Sequence, residues 1–590
     1  MQPTAPVAPY APATPAAPVA PAAYTAPAAP VAPVPPVTDA ATAPHPNEAA
    51  LAKPKRKMLP FIILAAAAAV LVITVVGVLM WTGVISISFF GAPASAAGTY
   101  AQNEQYVAYI KDGELHIAHA KSQASFEATS DLLSGETFRN SMISNIYVAS
   151  NLVQMKKNGS RLFYPDRIIS DGSYNLFTRT VSGNGKTTGE AVRLDTDIRG
   201  GYRVSEDGKN AFYVRGDAKS LYSHNMKERS ERIASDVEGF IINGNGTRIY
   251  YSDSEANIYY KNRNAATEKV DSESTFIGTS PDFATVYYTK DGTLYRKKQG
   301  ETKERISAGV SSVIMLYDSG ELYYTKETDT DDKTIDVLCY YDGTSETRIG
   351  STTDFNYSLA IGSTKPVLVY SINTDDKEES EYRIAVKAKD TAIDVSKTFR
   401  FPRLNPSATK LYYIDDYNEN RNSGDLWSAD VTDDGLKQAA QLYEDVNIYR
   451  INSKGAVHHY SELNRAGTAA DLYLEGKTVD TDVLINSEVE IGNTGNLLYY
   501  TDYNSNRDRG TLNISVNGKP AMIADDVSMF APLGGTVAVY LIVEGSANTG
   551  DIYCYDGSKD RKRIDTDVAM LMPIYLTGSG GVVSASSYNW

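Results

Sequence analysis

Ser280-Pro-Asp-Phe-Ala-Thr-Val-Tyr-Tyr-Thr289, followed by Lys290-Asp-Gly292 and Thr293-Leu-Tyr-Arg296, decides how this chain folds. A Ser/Asp turn leads into an apolar run of strand length that ends in two tyrosines. Asp-Gly, which tolerates positive φ, then turns the chain back into a second short run. Glu304-Arg-Ile306 supplies an outer strand, and Val310 to Met315 opens the next unit. The same phrase returns at Asn245-Gly-Thr-Arg-Ile-Tyr-Tyr-Ser252, Ser319-Gly-Glu-Leu-Tyr-Tyr-Thr325 and Thr494-Gly-Asn-Leu-Leu-Tyr-Tyr-Thr501.

Aligned on the second aromatic position, these copies give a series: Tyr164, Tyr213, Tyr251, Tyr288, Tyr324, Tyr370, Tyr413, Tyr460, Tyr500 and Tyr540, with Tyr109 ahead of it. A spacing near 40 residues with four strand-length segments per unit is the pattern of a propeller blade. Ser205-Glu-Asp-Gly208 and Ser280-Pro-Asp282 carry the partial signature by which residues 100–590 resemble TolB-type and WD40-like propellers, and propellers of the low-density-lipoprotein-receptor-related type. Trp-Asp dipeptides are absent, so the resemblance is not to a standard WD array.

The resemblance implies an all-β fold of about eleven four-stranded repeats. Eleven exceeds the usual four to eight blades of one ring. Two rings are therefore expected, with a subdivision near residue 320. The ends, Tyr106-Val-Ala-Tyr109 and the pair Leu571 to Ile574 with Val582 to Ser584, are expected to complete one blade together. The repeated tyrosines are expected to pack between neighbouring blades with their hydroxyls hydrogen-bonded.

Upstream, residues 1–52 are almost wholly Pro, Ala, Val and Thr and offer nothing from which to build a core. They read as a disordered cytoplasmic tail. The basic cluster 53–57 precedes Met58 to Trp81, an uncharged run long enough to cross a bilayer as one helix. Positive charge on its N-terminal side sets a signal-anchor orientation, with the N-terminus cytoplasmic and everything after the 82–99 linker outside.

Of the formal net charge of −15, residues 1–57 hold about +2 and the remainder about −17, a balance that repels nucleic acid. Cys339 and Cys554 are too few for a disulfide framework. Their near-identical surroundings suggest buried, equivalent positions in two repeats.

Chemistry is sparse. Asp416, Asn418 and Asn420, and their counterparts Asp502, Asn504 and Asn506, space oxygen ligands as a calcium loop begins, but Arg421 and Arg507 occupy the glycine position. They are weak calcium candidates, and no other cofactor is expected. Asp329-Thr-Asp-Asp332 reads as a hairpin tip. His116 with His119, and His458 with His459, alternate across their strands and assemble no metal site. No catalytic residue can be named.

A membrane-anchored binding or scaffold protein is the leading expectation, meeting protein or envelope polysaccharide on the longer hairpins of the later repeats. A propeller enzyme using face carboxylates, as hydrolase or lyase, and a transmembrane sensor or assembly scaffold stand as alternatives.

Overall fold

The computed structural model describes residues 103–132 and 152–584, apart from 170, 228–229, 330–333, 353–354, 374–379, 397, 546, 559 and 579–582. The expected tail, basic cluster, membrane helix and linker lie outside these residues. Among the described residues every helix-or-strand element is a strand, and no helix is long and apolar enough to cross a membrane.

The unit of Tyr288 pairs Thr275–Thr279, Thr285–Lys290, Thr293–Lys298 and Glu304–Ala308 in that order, antiparallel throughout. Successive side chains of a strand point to opposite faces. Val286 and Tyr288 therefore enter the core shared with the preceding unit, beside Tyr250 and Tyr260, while Tyr287 enters the core shared with the following one, beside Tyr324. This explains the doubled tyrosines: both faces of each sheet are covered, so the second strand is buried on both sides.

Eleven such units follow in chain order. Four strands serve two units each: Val192–Val204, Gly435–Ile451, Lys519–Pro532 and Lys562–Met572 end one sheet as its outermost strand and begin the next as its innermost. The change of sheet falls near an aspartate at positive φ: Asp197, Asp445, Asp526 and Asp567, at 55°, 52°, 55° and 59°. Aspartate tolerates this conformation better than most non-glycine residues.

The last of these strands closes the fold. Leu571 and Met572 pair with Tyr109 and Ala108, so the expected union of the two ends is observed for this strand. Beyond it, Tyr575–Leu576 runs parallel to Gln154–Met155 of the second unit, and Val583–Ser584 pairs with Phe240 and Gly239 of the fourth. The C-terminal segment is thus a strap laid on successive innermost strands.

Packing departs from the expected two rings. Every buried apolar cluster joins consecutive units, and one joins Val539 and Ile552 of the eleventh to Val107 and Tyr109 of the first. The described residues therefore trace one closed sequence of neighbours. The core crosses residue 320 unbroken, because Tyr287 and Leu294 pack with Val310 and Tyr324. Gly309, at φ 69°, is the whole link between the fifth unit and the sixth, too short a connection for the chain to leave one ring and start another.

Candidate functional site

The tyrosines build the frame on which any site must stand. Tyr109 donates to Asp565 at 2.7 Å, Tyr213 to Asp195 at 2.8 Å, and Tyr288 to Asp271 at 3.0 Å. In each pair the carboxylate comes from the outermost strand of the preceding unit. Each aspartate also accepts the next residue's backbone N–H, from Thr566, Thr196 and Ser272 respectively. The residue after that takes positive φ. Asp-Thr/Ser-Asp/Glu, at 195–197, 271–273, 480–482 and 565–567, is thus a lock between blades that the tyrosine spacing did not reveal. Its recurrence at four of the unit boundaries is visible in the sequence.

Tyr324 and Tyr370 instead use carboxylates of their own units, Glu346 at 2.5 Å and Asp390 at 2.9 Å. Tyr251, Tyr413 and Tyr540 are buried in the corresponding cores, and Tyr164 stacks on Phe177 at 5.9 Å. Among the described residues the buried Tyr500 hydroxyl has no hydrogen-bond partner, so the expected bond is not made at every repeat. Tyr288→Phe should cost about 1 kcal/mol, the net worth of one buried hydrogen bond, while Asp271 keeps Lys303 at 2.7 Å. Chemical denaturation measures it; an unchanged midpoint would contradict the lock.

Two tyrosines of the series are one residue out of phase. In the tenth unit Tyr499 makes the lock, to Asp480 at 3.0 Å, and Tyr500 faces the eleventh unit beside Tyr540. In the ninth, His459 holds the slot, sandwiched between Tyr443 at 4.4 Å and Tyr473 at 4.9 Å. Tyr460 faces the tenth unit and donates to Glu488. Glu488 also receives Arg450 Nε at 2.5 Å and lies 3.7 Å from His458 Nε2. With its carboxylate engaged on several sides and its side chain 1% exposed, Glu488 is a structural anion rather than a free acid.

A one-residue shift also separates the cysteines. Both are free, buried and on third strands, yet Cys339 packs toward the fifth unit and Cys554 toward the first, on opposite faces of their sheets. The expected equivalence is therefore only approximate. Burial pushes both thiols up to about 11, which keeps them protonated and unreactive.

Because strands alternate in direction, the links between units and the hairpins joining second to third strands share one face. The matched hairpins emerge there. Asn418 Oδ1 accepts the backbone N–H groups of Asn420 and Arg421, and Asn504 Oδ1 those of Asn506 and Arg507. The candidate calcium oxygens of Asn418 and Asn504 are thus holding turns. Among the described residues no group of three or more His, Cys, Asp or Glu could hold a metal ion. Of Asp329-Thr-Asp-Asp332, only Asp329 lies within the described residues.

Asp416 and Asp502, both at positive φ, turn the next residue inward in each hairpin. Tyr417 meets Phe401 edge-on at 5.9 Å, and Tyr503 lies 5.5 Å from Tyr500, which lies 5.1 Å from Phe530. Gly424 and Gly510 make room: a Cβ would stand 2.9 Å from Tyr417 Cα in the first and 3.1 Å from Tyr503 Cδ2 in the second. Phe401 sits on an innermost strand at φ 54° and is 50% exposed.

Near the second hairpin, a cavity of about 670 Å³ opens between the tenth, eleventh and first units. Tyr500, Tyr503, Phe530, Leu533 and Leu571 are among its largely apolar walls.

No family model and no curated protein matches this sequence. Solved structures resemble it in part. The crystal structure of the eukaryotic initiation factor aligns over 83% of this chain and 100% of its own, at 8% identity and a TM-score of 0.35. Porphyromonas gingivalis dipeptidyl peptidase 4 aligns over 72% of this chain and 61% of its own, at 12% identity and 0.33. A β-propeller domain from Myceliophteria thermophila aligns over 45% and 94%, at 13% identity and 0.24.

Proposed function

We propose that this chain is a membrane-anchored binding or scaffold protein, held by Met58 to Trp81 with its repeat region outside the cytoplasm, and that it meets its partner on the face bearing the later hairpins. One observation carries the reading. Phe401 is an aromatic residue at positive φ and half exposed, a conformation that costs about 1–3 kcal/mol and that sets its carbonyl to accept the buried Tyr449 hydroxyl while its ring stays in reach of solvent. Tyr417 is turned against it by a hairpin whose twin recurs two units later. Strain spent on displaying aromatic surface, on a rigid frame of buried tyrosines, favours recognition.

An exported protein or an envelope polysaccharide fits such a surface, since aromatic faces pack against both. The strongly acidic balance disfavours nucleic acid. With the full chain captured from carbonate-washed native envelopes, Phe401→Ala combined with Tyr417→Ala should lower partner recovery about tenfold, the loss of one aromatic contact cluster. Equal recovery from the double variant, or release of the chain by carbonate, would contradict the proposal.

A further inference from the structure

We propose that the face of the ring opposite the hairpins rests on an anionic lipid surface, and that lysines of the first three units make the contact. The choice of a bilayer as partner rests on the membrane-anchored reading above. The contact itself lies on the other face from Phe401 and needs nothing that binds there.

Charge divides the two faces. The four aspartates at which strands change sheet are exposed on the hairpin face, and Asp236, Glu273 and Asp482 repeat them at other links between units. Every lysine on that face, among the described residues, is tied to a carboxylate: Lys111 to Asp565 at 2.7 Å, Lys219 to Glu238 at 2.5 Å, Lys290 to Asp271 at 3.6 Å and Lys326 to Glu346 at 3.0 Å. On the opposite face first strands turn into second strands and third into fourth. There Lys121, Lys156, Lys157, Lys186 and Lys227 have no ion-pair partner among the described residues. Asp207 on the same turns is held by Lys209 at 3.0 Å, which leaves Glu104, Glu190 and Glu206 as the exposed carboxylates, fewer than the free lysines. Phosphate headgroups repel the hairpin face and attract the lysine face, so one orientation is selected.

The lysines stand on one continuous floor. Ser122, beside Lys121, donates to Asn184 O at 2.5 Å and joins the first unit's turn to the one that carries Lys186. Tyr106 donates to Ser182 O at 2.9 Å and lies under Gly159, where a Cβ would stand 2.5 Å from its ring. Gly159, at φ 70°, thus lets the Lys156-Lys157 turn close on the first unit. Lys156 Cδ reaches to 3.5 Å from where a Cβ on Gly208 of the third unit would stand, and Met226, beside Lys227, donates its N–H to Lys209 O at 3.1 Å. Turns tied to one another present their charges together, with no loop left to order on contact.

The chain also reaches the described residues on this face. The Asn103 N–H donates to Ile574 O at 2.7 Å where the first unit turns from its first strand to its second, and Glu104 and Gln105 line one polar hollow with Lys121, His119 and Gly183. Twenty-one residues separate Asn103 from Trp81. A tether that leaves from the lysine face lets that face settle on the bilayer without the chain passing round the ring. One apolar span and a basic patch are then two membrane signals, and headgroups meet each ammonium as a point charge.

Quenching in lipid nanodiscs tests this with the full chain. Cys339 and Cys554 are buried, so a dye can be placed by Thr187→Cys on the lysine face or by Asn420→Cys on the hairpin face. With a nitroxide on the lipid headgroups, quenching at Thr187→Cys should rise about threefold when phosphatidylglycerol joins phosphatidylcholine, and fall back in about 1 M salt. Lys156→Glu with Lys157→Glu and Lys186→Glu should abolish the rise, and the Asn420→Cys dye should stay unquenched in both lipids. Equal quenching in the two lipids, a rise that survives the charge reversals, or quenching at Asn420→Cys would overturn the proposal. Retention in phosphatidylcholine discs reads the anchor separately. If it fails, flotation of the full chain with phosphatidylglycerol vesicles still decides the patch: about tenfold less bound triple variant than parent supports it, and equal or no binding overturns it.

Discussion

Glu488→Ala should destabilise the protein by about 3–5 kcal/mol, the largest single-residue effect expected in the described part of the chain. The substitution leaves Arg450 without its closest acceptor and strips Tyr460 of its hydroxyl's partner inside the core between the ninth and tenth units. Burial by itself raises the Glu488 carboxyl, but His458 and the Arg450 guanidinium more than offset it and hold the group below its ordinary value. A carboxyl depressed in the folded state contributes stability that is present above its unfolded value of 4.5 and lost as pH falls through the folded one. Glu488→Gln combined with Arg450→Met should recover much of the loss, because removing both charges leaves no unpaired ion. Urea titrations of the three variants decide it. A single Ala variant within 1 kcal/mol of the parent would show that the pair is not an anchor.

His459 sets a second, separable pH dependence. Burial between Tyr443 and Tyr473, and then the neighbouring His458, lower its imidazole to about 4 from 6.5. In the interval between those values the unfolded chain binds a proton that the folded one refuses, so stability must rise with pH across it. The shift corresponds to about 3 kcal/mol lost between pH 7 and pH 4. His459→Phe keeps the stack and removes the proton site. It should flatten the curve between pH 6.5 and pH 4 while leaving the Glu488 loss below about 4.5 in place. A variant whose pH curve overlays the parent's would contradict the assignment.

The repeat was legible because every unit meets the same surroundings: two covered faces demand an apolar-aromatic second strand, so Val286-Tyr-Tyr288 advertises its own burial. Phase was not legible where two aromatic residues stand side by side. His459-Tyr460 and Tyr499-Tyr500 each offer two candidates for one slot, and a one-residue slip exchanges the faces. The same slip divided Cys339 from Cys554. The aspartate locks were spelled out in Asp565-Thr-Asp567 and its counterparts, but a lock becomes recognisable only when Tyr109 is brought to it across more than 450 residues. The incomplete end segments made the pairing of Met572 with Ala108 legible, but the number of rings was not, because ordinary blade counts do not say which units become neighbours. For the candidate site, the lengthened hairpins stood out as departures from the repeat. The inward turn of Tyr417 and Tyr503 did not, because it follows from positive φ at Asp416 and Asp502.

One closed circuit of eleven units, joined where Leu571 and Met572 complete the first sheet, underlies every contact described. Electron cryomicroscopy of the full chain viewed along the ring axis tests it most directly. Eleven radial sheets around a single channel, with the C-terminal strap crossing the second and fourth, is the predicted result; two separate rings, or an arc open between the eleventh sheet and the first, would contradict it.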